Sequence, residues 1–150
     1  MIAETLLDVV GPVRADHPMY VSGPPEQAAA AYQHLVAALD RLDLVHVGLG
    51  PDGHMASRVP GSPHLLVKDR RAVSGPAGLE PWVDRVTMTL PTIQAARRIV
   101  FLVAGKEKAE AVFKAFEGDI TAETPASLAR LEPVRVEVFL DRPAAAKLTH

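Results

Sequence analysis

Apolar residues recur along this chain at spacings that change several times, and each change marks an element. Ile2, Leu6, Val9 and Val10 fall at helical intervals, and Gly11-Pro12 ends that segment. The stretch from Arg14 to Pro25 is rich in Pro and Gly and reads as loop, with a short strand expected at Met19-Tyr20-Val21. Pro24 and Pro25 suit the first turn of a helix, where a missing N–H leaves nothing unsatisfied. The Ala-rich run from Glu26 to Leu39 is therefore predicted as a helix with Ala31, Leu35 and Leu39 on one face. Leu42-Asp43-Leu44-Val45-His46-Val47, bounded by glycine, has the pattern of a buried strand.

The second half alternates in the same way. Arg85 to Leu90 is predicted as a strand, and Pro91 opens a short helix through Ala96. Ile99 to Val103 is continuously apolar, the mark of a strand buried on both faces, and Gly105 breaks it. Lys106 to Phe116 follows as a helix with Ala109, Val112, Phe113 and Phe116 inward. Val134 to Leu140 alternates apolar and charged residues, as at a sheet edge, and a last helix is expected through Ala144-Ala145-Ala146. The segment from Pro60 to Pro81 is the long irregular stretch, with a short strand expected at Leu65-Leu66-Val67 and Trp82 packed beneath it. Strands alternating with helices predict an α/β fold with a mostly parallel sheet flanked by helices.

The 150 residues fit a single domain, 1–150, long enough to bury about 68–70% of the unfolded surface. Sixteen Lys and Arg against 18 Asp and Glu leave a formal charge of -2, which gives no basic footprint for nucleic acid. Cysteine is absent, which excludes disulfides, thiolate metal ligands and a cysteine nucleophile. No apolar run approaches the ~20 residues of a membrane span, so no membrane partner is expected. The start, Met1-Ile2-Ala3-Glu4-Thr5, lacks the parts of a secretory leader, and a cytoplasmic location is expected. The histidines form no close H-x-x-x-H pair, so no metal is expected. No G-x-S-x-G elbow occurs either, which argues against a serine hydrolase.

Chemistry concentrates in Gly48-Leu49-Gly50-Pro51-Asp52-Gly53-His54, directly after a predicted strand. Its glycines match the dinucleotide pattern G-x-G-x-x-G, but Pro60-Gly61-Ser62-Pro63 stops any crossover helix within roughly two turns. What remains is a glycine turn at the carboxyl end of a strand, where α/β sheets bind ligands. Glycines let the backbone approach a ligand, an imidazole can act as general base, and a carboxylate two residues away can fix its tautomer. An ordinary tight turn with a solvated His54 is the plain alternative. His46, inside an apolar strand, reads as a core or rim histidine.

The segment Val47 to Ser57, with Gly50-Pro51-Asp52-Gly53-His54-Met55-Ala56-Ser57 at its centre, resembles the Asp-Gly-His-Ala-Ser segment of the 6-phosphogluconolactonases. Pro60-Gly61-Ser62-Pro63, Arg85 to Pro91, Phe101 to Ala109, Pro125 to Leu128 and Phe139-Leu140-Asp141 continue the resemblance in order. The sister deaminases and isomerases of glucosamine 6-phosphate share Asp-Gly-His but continue with Asn-Glu-Pro, which is missing here. Met55 and Arg58-Val59 stand where the family usually has small or apolar residues.

The resemblance implies a Rossmann-like fold and hydrolysis of 6-phospho-D-glucono-1,5-lactone to 6-phosphogluconate in the oxidative pentose phosphate pathway, without cofactor. It implies His54 as general base and Asp52 as its orienting carboxylate; on geometric grounds, the N–H groups of the turn from Gly50 to Gly53 are expected to face the oxyanion. Lys108, near Lys106, would contact the substrate phosphate, Arg85 and Thr87 would line the pocket, and Ser127 would cap a turn. The family's glycine- and serine-rich phosphate loop and its Asp-Glu-Arg motif have no counterpart in these residues. The chain is therefore expected to correspond to the carboxyl-terminal portion of the family's domain. Two alternatives follow: a sugar-phosphate binder without turnover, or a fragment completed by another copy or by a chain supplying the missing segment.

Overall fold

In the computed structural model, residues 3–19, 22–76, 78, 80–131 and 134–149 are described. Tyr20 and Val21 of the expected Met19–Val21 strand lie outside them. A wide turn of π-helix, Ala3–Leu7, runs into α1 (Asp8–Val10) and stops at Gly11, whose φ of 86° no helix continues. Pro24 and Pro25 open α2 (Pro25–Ala37) as expected. Three strands, β1 (Val45–Val47), β4 (Arg98–Val103) and β5 (Arg135–Leu140), form a parallel sheet in the order β1-β4-β5. Val45 pairs with Ile99 and Val47 with Phe101, while Val103 pairs with Leu140. Between β1 and β4 lies an antiparallel pair, β2 (Ala72–Gly75) with β3 (Arg85–Met88), followed by α3 (Leu90–Gln94).

One sheet face carries the core. Val45, Val47, Ile99, Phe101 and Val103 pack with Ile93 of α3, and with Ala111, Val112 and Ala115 of α4 (Ala109–Phe116). Phe116 meets Phe101 edge-to-face at 5.0 Å. Because all three strands are parallel, the loops after β1, β4 and β5 leave the same end of the sheet. Asp141 ties two of them together, accepting from the Gly105 N–H at 3.1 Å and the Ala144 N–H at 2.8 Å.

Several expectations are corrected. β4 is not buried on both faces: Leu102 is 61% exposed, because no described element covers the second face of the sheet. Phe139, its register partner on β5, is 54% exposed, and His46 lies on the same open side. α2 turns Ala29 and Val36 inward instead of Ala31, Leu35 and Leu39; it packs on β2 and β3, while Ala31 and Leu35 line a cleft with Asp16, His17, Pro18, Met19 and Ser22. Leu65-Leu66-Val67 is not a strand, since Ser62 accepts from the His64 N–H and starts a 3-10 turn at Pro63–Leu66. The strand of that region is β2, seven residues further on. Trp82 is 70% exposed rather than packed under a loop. Residues 142–147 form a chain of turns instead of a regular helix, anchored by the Asp141 carboxylate. Phe113 is only half-buried, because α4 places Ala111 and Ala115 against the sheet.

Candidate active site

The glycine turn begins where β1 ends, and it closes on itself. The Gly50 N–H donates to the His54 carbonyl at 2.8 Å, and the Gly53 N–H donates to the Gly50 carbonyl at 3.0 Å. Gly50 is required by space: a Cβ there would overlap the His54 ring and meet the Asp52 carboxylate at 2.5 Å. Gly53 is required by its φ of 86° and by Thr124, whose methyl would lie 2.9 Å from an added Cβ. The Gly53 carbonyl accepts from Ala126 at 2.9 Å, which hangs the turn on the 3-10 segment Pro125–Arg130.

This conformation brings Asp52 and His54 together. The imidazole Nδ1 lies 2.6 Å from Asp52 Oδ1, and the same oxygen accepts from the His54 N–H at 3.2 Å. Partial burial would push the Asp52 carboxyl up. Hydrogen bonds from the His54 side chain and N–H outweigh it and, with the imidazole's charge, hold the carboxyl below its ordinary value. A carboxylate on Nδ1 favours the Nδ1–H form and leaves Nε2 as the basic nitrogen.

His54 lines a cavity of about 210 Å³ together with Ala56, Ser57, Val59, Gly78 and Arg85. The N–H groups expected to serve as oxyanion donors, those of the Gly50–Gly53 segment, are engaged within the segment. Gly50 and Gly53 spend their N–H groups inside the turn, Pro51 has none, and the Asp52 N–H interacts with its own carboxylate. Ala56 and Ser57 line the cavity, and among the described residues their N–H groups have no acceptor. Ala56 adopts a left-handed φ of 53°.

The residue after this pair is unexpected. Arg58 is fully buried, yet no carboxylate lies within ion-pair distance of it among the described residues. Its guanidinium donates to the carbonyls of Met88 and His64, each at 3.1 Å. Burial lowers it to about 10, so it remains charged at neutral pH at a cost to folding of roughly 3 kcal/mol. His64 is also buried, and both its burial and the Arg58 charge lower its protonation. Nothing in the sequence marks Arg58 as buried, since an arginine in a polar loop ordinarily reaches solvent.

Of the other expected residues, Arg85 joins His54 in the cavity, its guanidinium also donating to the Pro81 carbonyl at 2.9 Å. Thr87 is buried and donates to the Met88 carbonyl at 3.3 Å. Lys108 is not brought to that cavity; half-buried, it heads α4 in the turn after β4, beside the exposed Lys106. Ser127 closes a turn, accepting from the Thr121 N–H and donating to its carbonyl. A second cleft of about 210 Å³ flanks Asp52 on the side of Lys114, Thr121 and Glu123.

Residues 1–138 match the profile of a family described as glucosamine-6-phosphate isomerases/6-phosphogluconolactonase. The chain belongs to this family. It is 37% identical to a 6-phosphogluconolactonase of Mycobacterium tuberculosis, over 88% of this chain and 58% of that relative. It is 34% identical to a glucosamine-6-phosphate deaminase of Bacillus subtilis, over 81% of this chain and 54% of that relative. Among solved structures, a 6-phosphogluconolactonase from Trypanosoma brucei superposes with a TM-score of 0.73 at 28% identity, covering 82% of this chain and 53% of the other. The chain thus spans little more than half the length of these 6-phosphogluconolactonase-family relatives. The α/β class with a parallel sheet, expected from the sequence, agrees with the fold seen here and in that solved relative.

Proposed function

We propose that this chain is a lactone hydrolase of the 6-phosphogluconolactonase type, opening 6-phospho-D-glucono-1,5-lactone to 6-phosphogluconate. The observation that carries the reading is the Asp52–His54 pair, 2.6 Å apart at the carboxyl end of β1 and beside a cavity. His54 Nε2 takes a proton from water as the water oxygen attacks the lactone carbonyl. The tetrahedral oxyanion is met by the N–H groups of Ala56 and Ser57 and by the charge of Arg85. One such donor is typically worth about 3–4 kcal/mol. The intermediate collapses by breaking the bond to the ring oxygen, and His54 returns its proton to that oxygen. Asp52 holds the ring in the required tautomer throughout.

Lys108 supplies the contact to the substrate phosphate, from the turn after β4 at the same end of the sheet. Gly50 and Gly53 serve the site by making room for His54. The chemistry uses water and an imidazole, with neither metal nor organic cofactor. The deaminase reading is the less favoured one, because the Asn-Glu-Pro element with which that branch continues is missing here and Ala56-Ser57 matches the lactonase segment. No described helix is long and apolar enough to cross a membrane. A cytoplasmic place is part of the proposal.

The open sheet face favours a second element of the reading. Leu102 and Phe139, side by side and both more than half exposed, are covered in the working protein by a second copy or by a chain completing the sheet. The whole 1–150 stretch acts as one domain. The test is turnover of the lactone by the purified chain above the spontaneous rate, with loss in His54→Ala. Binding of 6-phosphogluconate without turnover would instead make the chain a sugar-phosphate binder.

A further inference from the structure

We propose that Arg58 is a positioning residue for His54, strapping the turn that carries the imidazole to the strand that carries Arg85. The inference rests on the reading of His54 as the base.

Its first support is what Arg58 is not. A buried guanidinium with no carboxylate partner among the described residues is an expense to the fold, so stability does not account for it. Its partners are two main-chain carbonyls on separate elements: Met88, at the end of β3, and His64, in the 3-10 turn. β3 begins at Arg85, which shares a cavity with His54. One planar fork therefore links the base's own turn to the strand of its neighbouring cation. A fork with fixed donor directions sets an orientation as well as a distance.

The second support is the segment between. Met55 to Arg58 closes immediately after His54, with the Arg58 N–H donating to the Met55 carbonyl at 3.0 Å. Ala56 in that turn is left-handed, a conformation that a non-glycine residue keeps only when its surroundings impose it. Met55 is fully buried on one side and Arg58 on the other, so both ends of the strained turn are held. Room for the His64 end of the strap comes from Gly75, where any Cβ would overlap the His64 ring.

The test uses Arg58→Met, which keeps length and removes charge and donors, in the full chain. A Tm at or above that of the wild type is expected, with kcat down about 10–100-fold and KM within about threefold. Arg58→Lys, retaining a donor, recovers part of kcat. Independently of turnover, imidazole NMR of the labelled chain should show one sharp His54 ring signal that broadens or doubles in Arg58→Met, with His34 and His46 unchanged. An unchanged His54 signal overturns the proposal, as does a kcat loss accompanied by an equal loss of fold. If Arg58→Met does not fold, the His54 signal of Arg58→Lys decides by the same criterion. A wild type that binds no lactone and turns none over overturns the functional reading alone, because the His54 signal still reports on Arg58.

Discussion

Gly50 and His54 occupy one space: the imidazole lies where a side chain on Gly50 would be. Gly50 is therefore a seat for the imidazole. Gly50→Ala is expected to displace the ring and the Asp52 carboxylate, lowering kcat/KM by at least about 100-fold. Overpacking of this kind costs about 1–3 kcal/mol. Lactone assays with thermal unfolding of the same preparation separate the two effects, and a variant with normal turnover would refute the seating.

Asp52→Asn removes the charge that steadies the imidazole while keeping the shape of the turn. Turnover should fall by about 10²–10⁴-fold, with KM little changed. The carboxyl is held below its ordinary value, so its ionised form stabilises the fold above about pH 4, and that contribution disappears as pH falls through the lowered value. The effect is small because the carboxylate is nearly half exposed. Urea titrations across the carboxylate range, roughly pH 3 to 6, should slope less in Asp52→Asn.

His64 gives the opposite kind of pH dependence. Burial and the Arg58 charge lower its protonation in the fold, so the unfolded chain binds more protons below the ordinary histidine value of 6.5. Stability should thus decline as pH falls through 6.5 and level off once the folded imidazole is also protonated. His64→Gln should start less stable, because the ring packs against Gly75, but its urea midpoint should hardly move across that window. Equal slopes for both proteins would remove His64 from the account.

Leu102 and Phe139 bear on assembly. Leu102→Glu should leave monomer stability within about 0.5 kcal/mol, as for other exposed positions. If a second copy covers the face, sedimentation should show a wild-type dimer and a variant monomer. A wild type that stays monomeric at its solubility limit would point to a separate covering chain.

Local patterns made much of this legible in advance. Period-2 and continuous apolar runs located β1, β4 and β5, and Asp52 and His54 were readable because a carboxylate two residues before an imidazole in a glycine turn can reach it without help from the rest of the chain. β2 was not, since Ala72-Val73-Ser74-Gly75 lacks the bulky alternating residues that mark a strand. The exposure of Leu102 depends on what lies across the sheet, which no local run reveals. The engagement of the Gly50 and Gly53 N–H groups was hidden for a related reason: such groups look available in a sequence, and only the closed turn shows them already used.

The Asp141 carboxylate holds the Gly105 N–H, so the turn bearing Lys108 is anchored through β5, whereas the turn bearing His54 is anchored at Gly53 to Ala126 and at Arg58 to Met88. Base and cation hang from separate moorings. Their contributions should consequently be independent in free energy. A Lys108 variant combined with an Arg58 variant should lose the sum of the two single losses, to within about 0.5 kcal/mol. On the proposed reading, a change at Lys108 leaves the aim of the His54 imidazole in this chain undisturbed.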